Sequence, residues 1–362
     1  MKILFITAPL YDYQADSLLI GFRELNGAGC VDFPRKPIMY GEFPVVYGRG
    51  FTIGSHPIQD IPRNNQCFTD IDLVIYSNYQ RQRPIDWRVL VRNQDKAPRI
   101  VYVDGNDDHC VEPDVRPYFK RELFEAIDGV FPIGFGVPNH LVRPINLEQK
   151  NQLHQTHVQD TEFTSDTAYK FAEEKDYYDD LARSLFGITM KKGGWDCMRH
   201  YEMLAAGTLV MFKNFDAKPP LCAPQCPHFI SYSDKKDFME KTGRLLSNGR
   251  PNEEYVRVLQ AQRRWLLENA TCTARARQLM AQVEQYFAGK PAETMPAVRF
   301  KTARRAAIRL FLLKENAMLR AITFVKQNPL ADWFYYKVFK KIPGVGFFIS
   351  RVLMNERPNT FR

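Results

Sequence analysis

The chain has 362 residues, of which 45% are hydrophobic and 25% are charged. This length exceeds what one ordinary hydrophobic core needs, and the composition excludes a disordered or fibrous chain. No stretch reaches the roughly 18 uncharged apolar residues of a membrane-spanning helix, and the apolar run at residues 2–7 is too short for a signal peptide. We therefore expect two domains with an extension, neither exported nor membrane-spanning.

Short apolar runs alternate with amphipathic stretches in the first third of the chain. The runs typical of buried strands are residues 2–7, 29–33, 73–76, 99–104 and 129–133. Helical spacing is found at residues 15–25 and 118–127, and residues 34–69 are predicted to form loops because they are rich in Pro, Gly and Asn. This alternation predicts a parallel sheet with helices on both faces. Its ligands would lie at the carboxyl ends of the strands, near residues 9–13 and 104–108.

A second domain follows an interdomain connection at residues 134–138. Its predicted helices are residues 177–185, 197–206, 235–247 and 253–287, and its clearest predicted strands are residues 186–190 and 209–212. The resulting division is a first domain at 1–135, a second at 136–290 and a C-terminal extension at 291–362.

A basic glycine loop at residues 191–194 joins a predicted strand to the start of a predicted helix. Two glycines let a phosphate approach the backbone amides, and the helix start adds partial positive charge. Glu202 lies further along this helix, where a carboxylate can accept hydrogen bonds from ribose hydroxyls. The candidate donor-binding residues are Lys191, Lys192, Gly193, Gly194, Arg199, Tyr201 and Glu202. The residues alone leave open an exposed basic loop with a solvated Glu202.

The segment from Gly193 to Thr208 resembles the donor-site signature of GT-B fold glycosyltransferases. It is most similar to the bacterial glycosyltransferase family 1-like group related to CgeB-type proteins. Glu202, Ala205 and Gly207 match the Glu-x-x-Ala-x-Gly pattern that marks the nucleotide ribose site in that superfamily. The resemblance covers about residues 1–290 and implies an α/β fold with two Rossmann-like domains facing a cleft. It also implies a nucleotide-sugar donor and no obligatory metal or other cofactor, because basic groups and helix dipoles stabilise the departing diphosphate.

One position departs from the resembled pattern. Many retaining members carry a second Glu eight positions before the ribose Glu, and here that position is Gly194. The departure leaves both the stereochemistry and the activity open.

An acidic cluster follows the predicted strand at residues 99–104. An inverting glycosyltransferase needs a general base on the acceptor hydroxyl, and the candidates are Asp104, Asp107, Asp108 and His109. A turn with helix-capping residues is the structural alternative. A metal-binding acidic motif of the other large glycosyltransferase fold is less compatible with two domains and a donor signature on the second.

Seven cysteines are scattered along the chain without an export signal, so reduced thiols are expected. Cys222, Cys226 and His228 could hold zinc, but no second pair follows at zinc-site spacing. His154, His157 and Asp160 are a similar weak hint. We expect no metal site.

The charge is concentrated in the extension. Residues 297–362 contain 14 Lys/Arg and 3 Asp/Glu, a net charge of +11, whereas residues 1–296 carry −2. Such asymmetry favours an anionic surface as partner, either membrane or nucleic acid. Large aliphatic residues favour the membrane over nucleic acid.

The extension also has an apolar helical stripe, formed by Phe300, Ala303, Ala307, Leu310, Phe311, Ala317, Met318, Ile322 and Val325. The candidate membrane-contact residues are Arg304, Arg305, Arg309, Phe311, Trp333, Lys337, Lys340 and Lys341. The alternative is that the stripe packs on the body of the protein with its basic face solvated.

Together these patterns predict a cytoplasmic glycosyltransferase peripheral to the membrane. It would transfer a sugar from a nucleotide-sugar to a glycan or lipid-linked acceptor. The alternatives are a non-catalytic glycosyltransferase-like binding or assembly protein and a nucleic-acid-associated protein.

Overall fold

A computed structural model gives the structure of the chain. It describes residues 1–7, 12–42, 51–54, 56–61, 68–77, 85–168, 170–295, 306, 308–313, 317 and 320.

The first domain is built on a six-stranded sheet in which every neighbouring pair is parallel. Its strands are β1 (Ile3–Ile6), β2 (Cys30–Phe33), β3 (Leu73–Ser77), β4 (Arg99–Asp104), β5 (Tyr118–Lys120) and β6 (Val130–Pro132). They lie in the order β2-β1-β3-β4-β5-β6. The strand after β1 lies on one side of it and all later strands lie on the other, so the strand order reverses at β1. In parallel sheets of this kind, ligands bind beside such a reversal, at the carboxyl ends of the strands.

Helix α1 (Tyr13–Asn26) follows β1, and the short helix α2 (Trp87–Leu90) follows β3. The α1 N-terminus is capped by the Asp12 carboxylate, which accepts hydrogen bonds from the backbone N–H groups of Gln14 and Ala15. The helix ends at Gly27, whose φ of 53° is readily adopted by glycine. Both ends of α1 are thus set by local sequence.

The second domain contains a four-stranded parallel sheet in the order β10-β9-β8-β7. The strands are β7 (Gln152–His154), β8 (Ser184–Met190), β9 (Leu209–Lys213) and β10 (Ile230–Tyr232). Helix α3 (Glu174–Arg183) precedes β8, α4 (Met198–Ala205) joins β8 to β9, and α5 (Lys235–Arg244) follows β10. A small hairpin of β11 (Leu246–Ser247) and β12 (Arg250–Pro251) leads to the closing helices α6 (Glu253–Asn269) and α7 (Cys272–Phe287).

Helix α7 returns to the first domain and packs on α1. A Cβ atom at Gly21 of α1 would lie closer than 3.0 Å to the backbone oxygen of Cys272, so only glycine allows this approach. The largest hydrophobic cluster accordingly contains residues of both domains, including Leu18, Tyr201 and Leu279. The predicted α/β class with two Rossmann-like parallel sheets is confirmed, while the boundaries at residues 135 and 290 stay predictions.

The prediction of a helix at residues 118–127 is wrong. Tyr118, Phe119 and Lys120 form β5, which pairs with β4 on one side and β6 on the other. All three side chains are buried, so this short run has no solvent-facing side. Periodicity cannot distinguish such a fully buried strand from a buried helix.

The prediction of one helix at residues 253–287 is also wrong, because the chain breaks between α6 and α7. Val137 forms a parallel bridge with Thr271 at this point. The Thr271 hydroxyl accepts a hydrogen bond from the backbone N–H of Ala274, which caps α7. The break is therefore produced by a contact with the interdomain connection together with a local cap.

Part of the extension packs on the first sheet. Residues 308–313 are helical, Ile308 is buried in the cluster that covers one face of that sheet, and Phe311 stacks on Phe33 with 6.1 Å between ring centroids. On the same helix, Leu310 is 71% exposed and Leu313 is 66% exposed. The described residues of the predicted stripe are thus divided, with Phe311 on the body and Leu310 facing outward. Its other members Phe300, Ala303, Ala307, Met318, Ile322 and Val325 lie outside the described residues.

Candidate functional site

The carboxyl ends of the two sheets face each other and are in direct contact. Glu122 lies just beyond the end of β5 in the first sheet. Its carboxylate accepts hydrogen bonds from the backbone N–H groups of Trp195 and Asp196, both at 3.1 Å, in the loop between β8 and α4. The Glu122 carboxylate of the first domain therefore takes two backbone N–H donors just after the glycine loop of the second domain.

Gly193 and Gly194 make this approach possible. A Cβ atom at Gly194 would lie closer than 3.0 Å to Glu122 Oε1, and one at Gly193 equally close to Asp107 Oδ2. We predicted that these glycines would let a phosphate approach, but the structure places first-domain carboxylates beside them. Position 194, where many retaining members of the resembled family have Glu, has the Glu122 carboxylate against it.

Arg121 neutralises the acidic groups at this junction. Its side chain is 1% exposed, and its guanidinium donates to Glu122 Oε1 at 3.2 Å, to the Asp196 carbonyl at 2.8 Å and to the Asp107 carboxylate. Burial raises the pKa of the Glu122 and Asp196 carboxyl groups, and the charge of Arg121 opposes this shift. The Asp196 carboxylate also accepts from the Tyr201 hydroxyl at 2.6 Å, so Tyr201 lies in the core rather than on the cleft surface.

Three cations lie at the carboxyl end of β8 and just after it. Arg199 is fixed by uncharged partners, since Nε donates to Thr189 Oγ1 at 2.8 Å and Nη2 to the Met190 carbonyl at 2.5 Å. Lys191 is exposed with its ammonium 5.1 Å from the Trp195 ring centroid, and Lys192 is also exposed. Partial burial and the nearby Arg199 lower the pKa of Lys192. Within the described part of the chain, none of the three forms an ion pair with a carboxylate.

Glu202 is held by hydroxyl groups from both domains. Its Oε1 accepts from Thr52 Oγ1 and its Oε2 from the Tyr177 hydroxyl, each at 2.6 Å. Burial raises the pKa of Glu202, and the hydrogen bonds from Thr52 and Tyr177 oppose that shift. The carboxylate is thus oriented by neighbours that sequence analysis did not identify.

The candidate general bases are unequal in the structure. Asp104 is fully buried and accepts from Lys120 Nζ at 2.6 Å and from the Tyr118 hydroxyl at 2.9 Å. Asp107 pairs with Arg121, and Asp108 accepts from Lys120 Nζ at 3.1 Å. Three of the four candidates are therefore held by cations of their own domain.

His109 differs from these three carboxylates. It is exposed, stacks on Phe124 with 4.9 Å between ring centroids, and makes no hydrogen bond to any residue that the structure describes. It is the candidate whose nitrogen atoms are available to a substrate.

Arg121, Glu122, Thr52 and Tyr177 are site residues that sequence analysis missed. The first two directly follow β5, which the sequence pattern indicated as helix, so they were not placed at a strand end. Thr52 lies in the loop region 34–69 and reaches Glu202 across 150 positions of sequence. A correct assignment of β5 would have identified Arg121 and Glu122, whereas no local signal identifies Thr52.

Cys222 and Cys226, two of the three residues considered for zinc, are buried in the structure. Cys222 Sγ donates to the Leu123 carbonyl at 3.3 Å, and burial raises the pKa of the Cys222 and Cys226 thiols to about 12. Among the residues that the structure describes, no group of three His, Cys, Asp or Glu side chains is arranged to hold a metal ion.

Two of the predicted membrane-contact residues lie within the described part of the extension. Arg309 is exposed, and Phe311 is partly buried against the first sheet. Arg304, Arg305, Trp333, Lys337, Lys340 and Lys341 lie outside the described residues. No helix in the described ranges is both long enough and apolar enough to cross a membrane.

Comparison with known proteins gives only distant similarities. No protein-family model matches the chain, and no curated protein sequence matches it significantly. AviGT4, a glycosyltransferase involved in avilamycin A biosynthesis, is 14% identical with a TM-score of 0.45, covering 81% of this chain and 100% of its own. A glycosyltransferase from Rickettsia africae ESF-5 is 9% identical with a TM-score of 0.43, covering 80% and 99%. CalG4, the calicheamicin glycosyltransferase, is 11% identical with a TM-score of 0.33, covering 80% and 99%. Because every TM-score is this low, these similarities carry no argument about what the chain does.

Proposed function

We propose that the chain is a glycosyltransferase that moves a sugar from a nucleotide-sugar donor to a glycan or lipid-linked acceptor. The observation that carries this proposal is the group of cations at Lys191, Lys192 and Arg199. They follow the carboxyl end of β8, beside the facing edge of the first sheet, without a carboxylate partner among the described residues. Cations without a carboxylate partner fit an anionic ligand such as the diphosphate of a nucleotide-sugar. Because the Glu122 and Asp107 carboxylates lie beside the two glycines, the proposal places the diphosphate on the three cations and not on the loop amides.

In this proposal, the three cations stabilise charge that develops on the departing diphosphate. Glu202 accepts hydrogen bonds from the ribose hydroxyls. The acceptor hydroxyl forms a bond to the anomeric carbon, the bond from that carbon to the diphosphate oxygen breaks, and a general base takes the acceptor proton. His109 is the preferred base, because Asp104 and Asp107 are paired with Lys120 and Arg121.

A thermal-shift panel tests the donor. UDP, GDP, ADP, CMP and their sugar conjugates would be added to the wild type and to Glu202→Ala. We expect one nucleotide to stabilise the wild type selectively, and its binding to weaken by about 1–3 kcal/mol in the variant because charged hydrogen bonds are lost. The absence of stabilisation by any of them would contradict the proposal.

The role of His109 is tested by His109→Asn. If it is the base, kcat should fall by about 10²-fold or more while nucleotide affinity stays unchanged. An unchanged kcat would show that His109 is not the base and would transfer the role to Asp107 or Asp108, whose side chains are 55% and 47% exposed.

We further propose that the enzyme acts at the cytoplasmic face of a membrane. The +11 charge of residues 297–362 supports this, together with the exposed Leu310, Leu313 and Arg309 on one helix. Exposed aliphatic groups beside basic groups suit the headgroup boundary of an anionic bilayer. A lipid-linked acceptor would then reach the cleft from the same membrane.

Vesicle sedimentation tests this placement. A double variant, Leu310→Glu with Leu313→Glu, should lose binding to anionic vesicles, whereas Leu267→Glu, a comparably exposed leucine on α6, should bind normally. These substitutions are preferable to deleting residues 297–362, because Ile308 and Phe311 pack on the first sheet. Normal sedimentation of the double variant would contradict this contact surface. DNA binding that weakens steeply with salt would favour a nucleic-acid partner.

A non-catalytic binding or assembly protein is the second candidate. The pairing of Asp104, Asp107 and Asp108 with Lys120 and Arg121 favours it, since these acids are already occupied. Nucleotide binding without turnover of any nucleotide-sugar, including slow hydrolysis, would support this candidate over the enzyme.

A further inference from the structure

Thr52 is a first-domain residue that is held in a strained conformation against the second domain. It has a φ of 72°, a region that β-branched residues rarely adopt, and its side chain is fully buried. Its neighbours Phe51 and Ile53 are buried in the main hydrophobic core, which keeps the turn in place. Strain of this kind persists only where surrounding contacts hold it, and it is concentrated at functional sites.

Within the described ranges, the hydrogen bonds of Thr52 all lead to the second domain. Its backbone N–H donates to Glu174 Oε2 at 3.1 Å, and its hydroxyl donates to Glu202 Oε1 at 2.6 Å. Because the single hydroxyl hydrogen is used on Glu202, the Tyr178 hydroxyl, 2.9 Å away, donates to Thr52 Oγ1. The strained backbone thus positions the Thr52 hydroxyl against Glu202 Oε1.

Thr52 is more deeply buried than Glu202, with which it is in contact. Thr52 is 0% exposed, whereas Glu202 keeps 7% of its surface exposed. An ionised carboxylate offers about four acceptor positions, and the Thr52 and Tyr177 hydroxyls use two of them. Acceptor capacity therefore remains on Glu202 after both neighbours are satisfied.

We propose that Thr52 is a positioning residue that orients Glu202 for a ribose diol, so that the first domain completes the donor site of the second. This inference rests on the proposed nucleotide-sugar function. In this arrangement, the Thr52 hydroxyl donates to Glu202 Oε1 and fixes the rotation of the carboxylate. The donor site then discriminates ribonucleotides from 2′-deoxyribonucleotides only while Thr52 is in place.

The test compares wild type, Thr52→Val and Thr52→Ser by isothermal titration calorimetry. The probes are UDP, GDP and ADP together with their 2′-deoxy forms. Thr52→Val keeps the shape and removes the hydroxyl, so ribonucleotide binding should weaken about tenfold while deoxynucleotide binding changes less than about twofold. Thr52→Ser keeps the hydroxyl and should retain the wild-type discrimination.

A third variant, Thr52→Gly, controls for a folding defect. Glycine adopts a φ of 72° without strain, so Thr52→Gly should fold, lack the hydroxyl and lose the same discrimination as Thr52→Val. Equal losses for ribo- and deoxynucleotides would show a merely structural role and overturn the inference. Tighter ribonucleotide binding by Thr52→Val would overturn it too, because Thr52 would then block the site.

The proposed function and this inference fail differently. If no probe binds the wild type, both fail. If the wild type binds a ribonucleotide in a Glu202-dependent manner and Thr52→Val keeps full discrimination against the deoxy form, the function stands and the role of Thr52 is refuted.

Discussion

The two sheet edges that meet in this protein differ in how their charged side chains are paired. At the first edge, Asp104 pairs with Lys120 and Asp107 with Arg121, and the ion pairs involve buried cations. At the second edge, the described hydrogen-bond partners of Arg199 are uncharged oxygens, and the neighbouring lysines are exposed. Both sets follow the ends of parallel strands, where sequence analysis treats every polar residue as a site candidate.

Position at a strand end is therefore not sufficient to identify a functional charge. Buried charges are strongly penalised unless they are paired, so a paired group at such an edge is already satisfied, and removing one partner destabilises the fold. A cluster of cations without anionic partners is instead compatible with binding an anion.

The largest effect is expected from removing the buried cation of the first edge. Arg121→Met would leave Glu122, Asp107 and Asp196 without their neutralising charge, so the free energy of unfolding should fall by about 3–5 kcal/mol in urea denaturation. Arg199→Met is the matched control on the second edge and should cost less than about 1 kcal/mol. Equal losses for the two arginines would remove the distinction.

The contact between the edges is tested next by Gly194→Ala. The new Cβ would lie against Glu122 Oε1, so the unfolding free energy should fall by about 1–3 kcal/mol. Gly243, near the end of α5, has no atom within 4 Å of an added Cβ. Gly243→Ala should therefore be neutral or stabilising by about 0.5–1 kcal/mol. A tolerated alanine at 194 would indicate that the sheets do not meet as described.

A smaller effect, on binding rather than stability, is expected at the second edge. Lys192→Gln should weaken nucleotide binding by about 1–2 kcal/mol because it removes a charged contact, and the effect should shrink at high salt. Lys236→Gln, an exposed lysine on α5, is the control and should leave binding unchanged. An unchanged affinity for Lys192→Gln would exclude this lysine from the anion site.

The smallest effect concerns pH. Burial raises the pKa of Glu122 above its ordinary value of 4.5, so the folded state binds this proton more tightly than the unfolded state. The contribution of Glu122 to stability is therefore complete at low pH and declines as pH rises above about 4.5. Glu122→Gln should flatten this part of the stability–pH curve measured by urea denaturation, and a steeper curve in the variant would contradict the assigned direction.

Sequence periodicity predicted the elements with strong local patterns. The strand predicted at residues 99–104 is β4, and the helix predicted at 15–25 lies within α1, where Asp12 and Gly27 provide local start and stop signals. The glycine loop between β8 and α4 was also placed correctly. Local patterns did not indicate which distant residues would pack beside each element.

Strands such as β4, helix α1, the position of the basic glycine loop and the charge of the extension followed from the sequence, because these depend on residues close together along the chain. Only the tertiary structure decided that β5 is a strand, that Glu122 fills the space beside Gly194, and that Thr52 orients Glu202. Each of these depends on contacts between residues far apart in sequence, whose burial and pairing outweigh local preference.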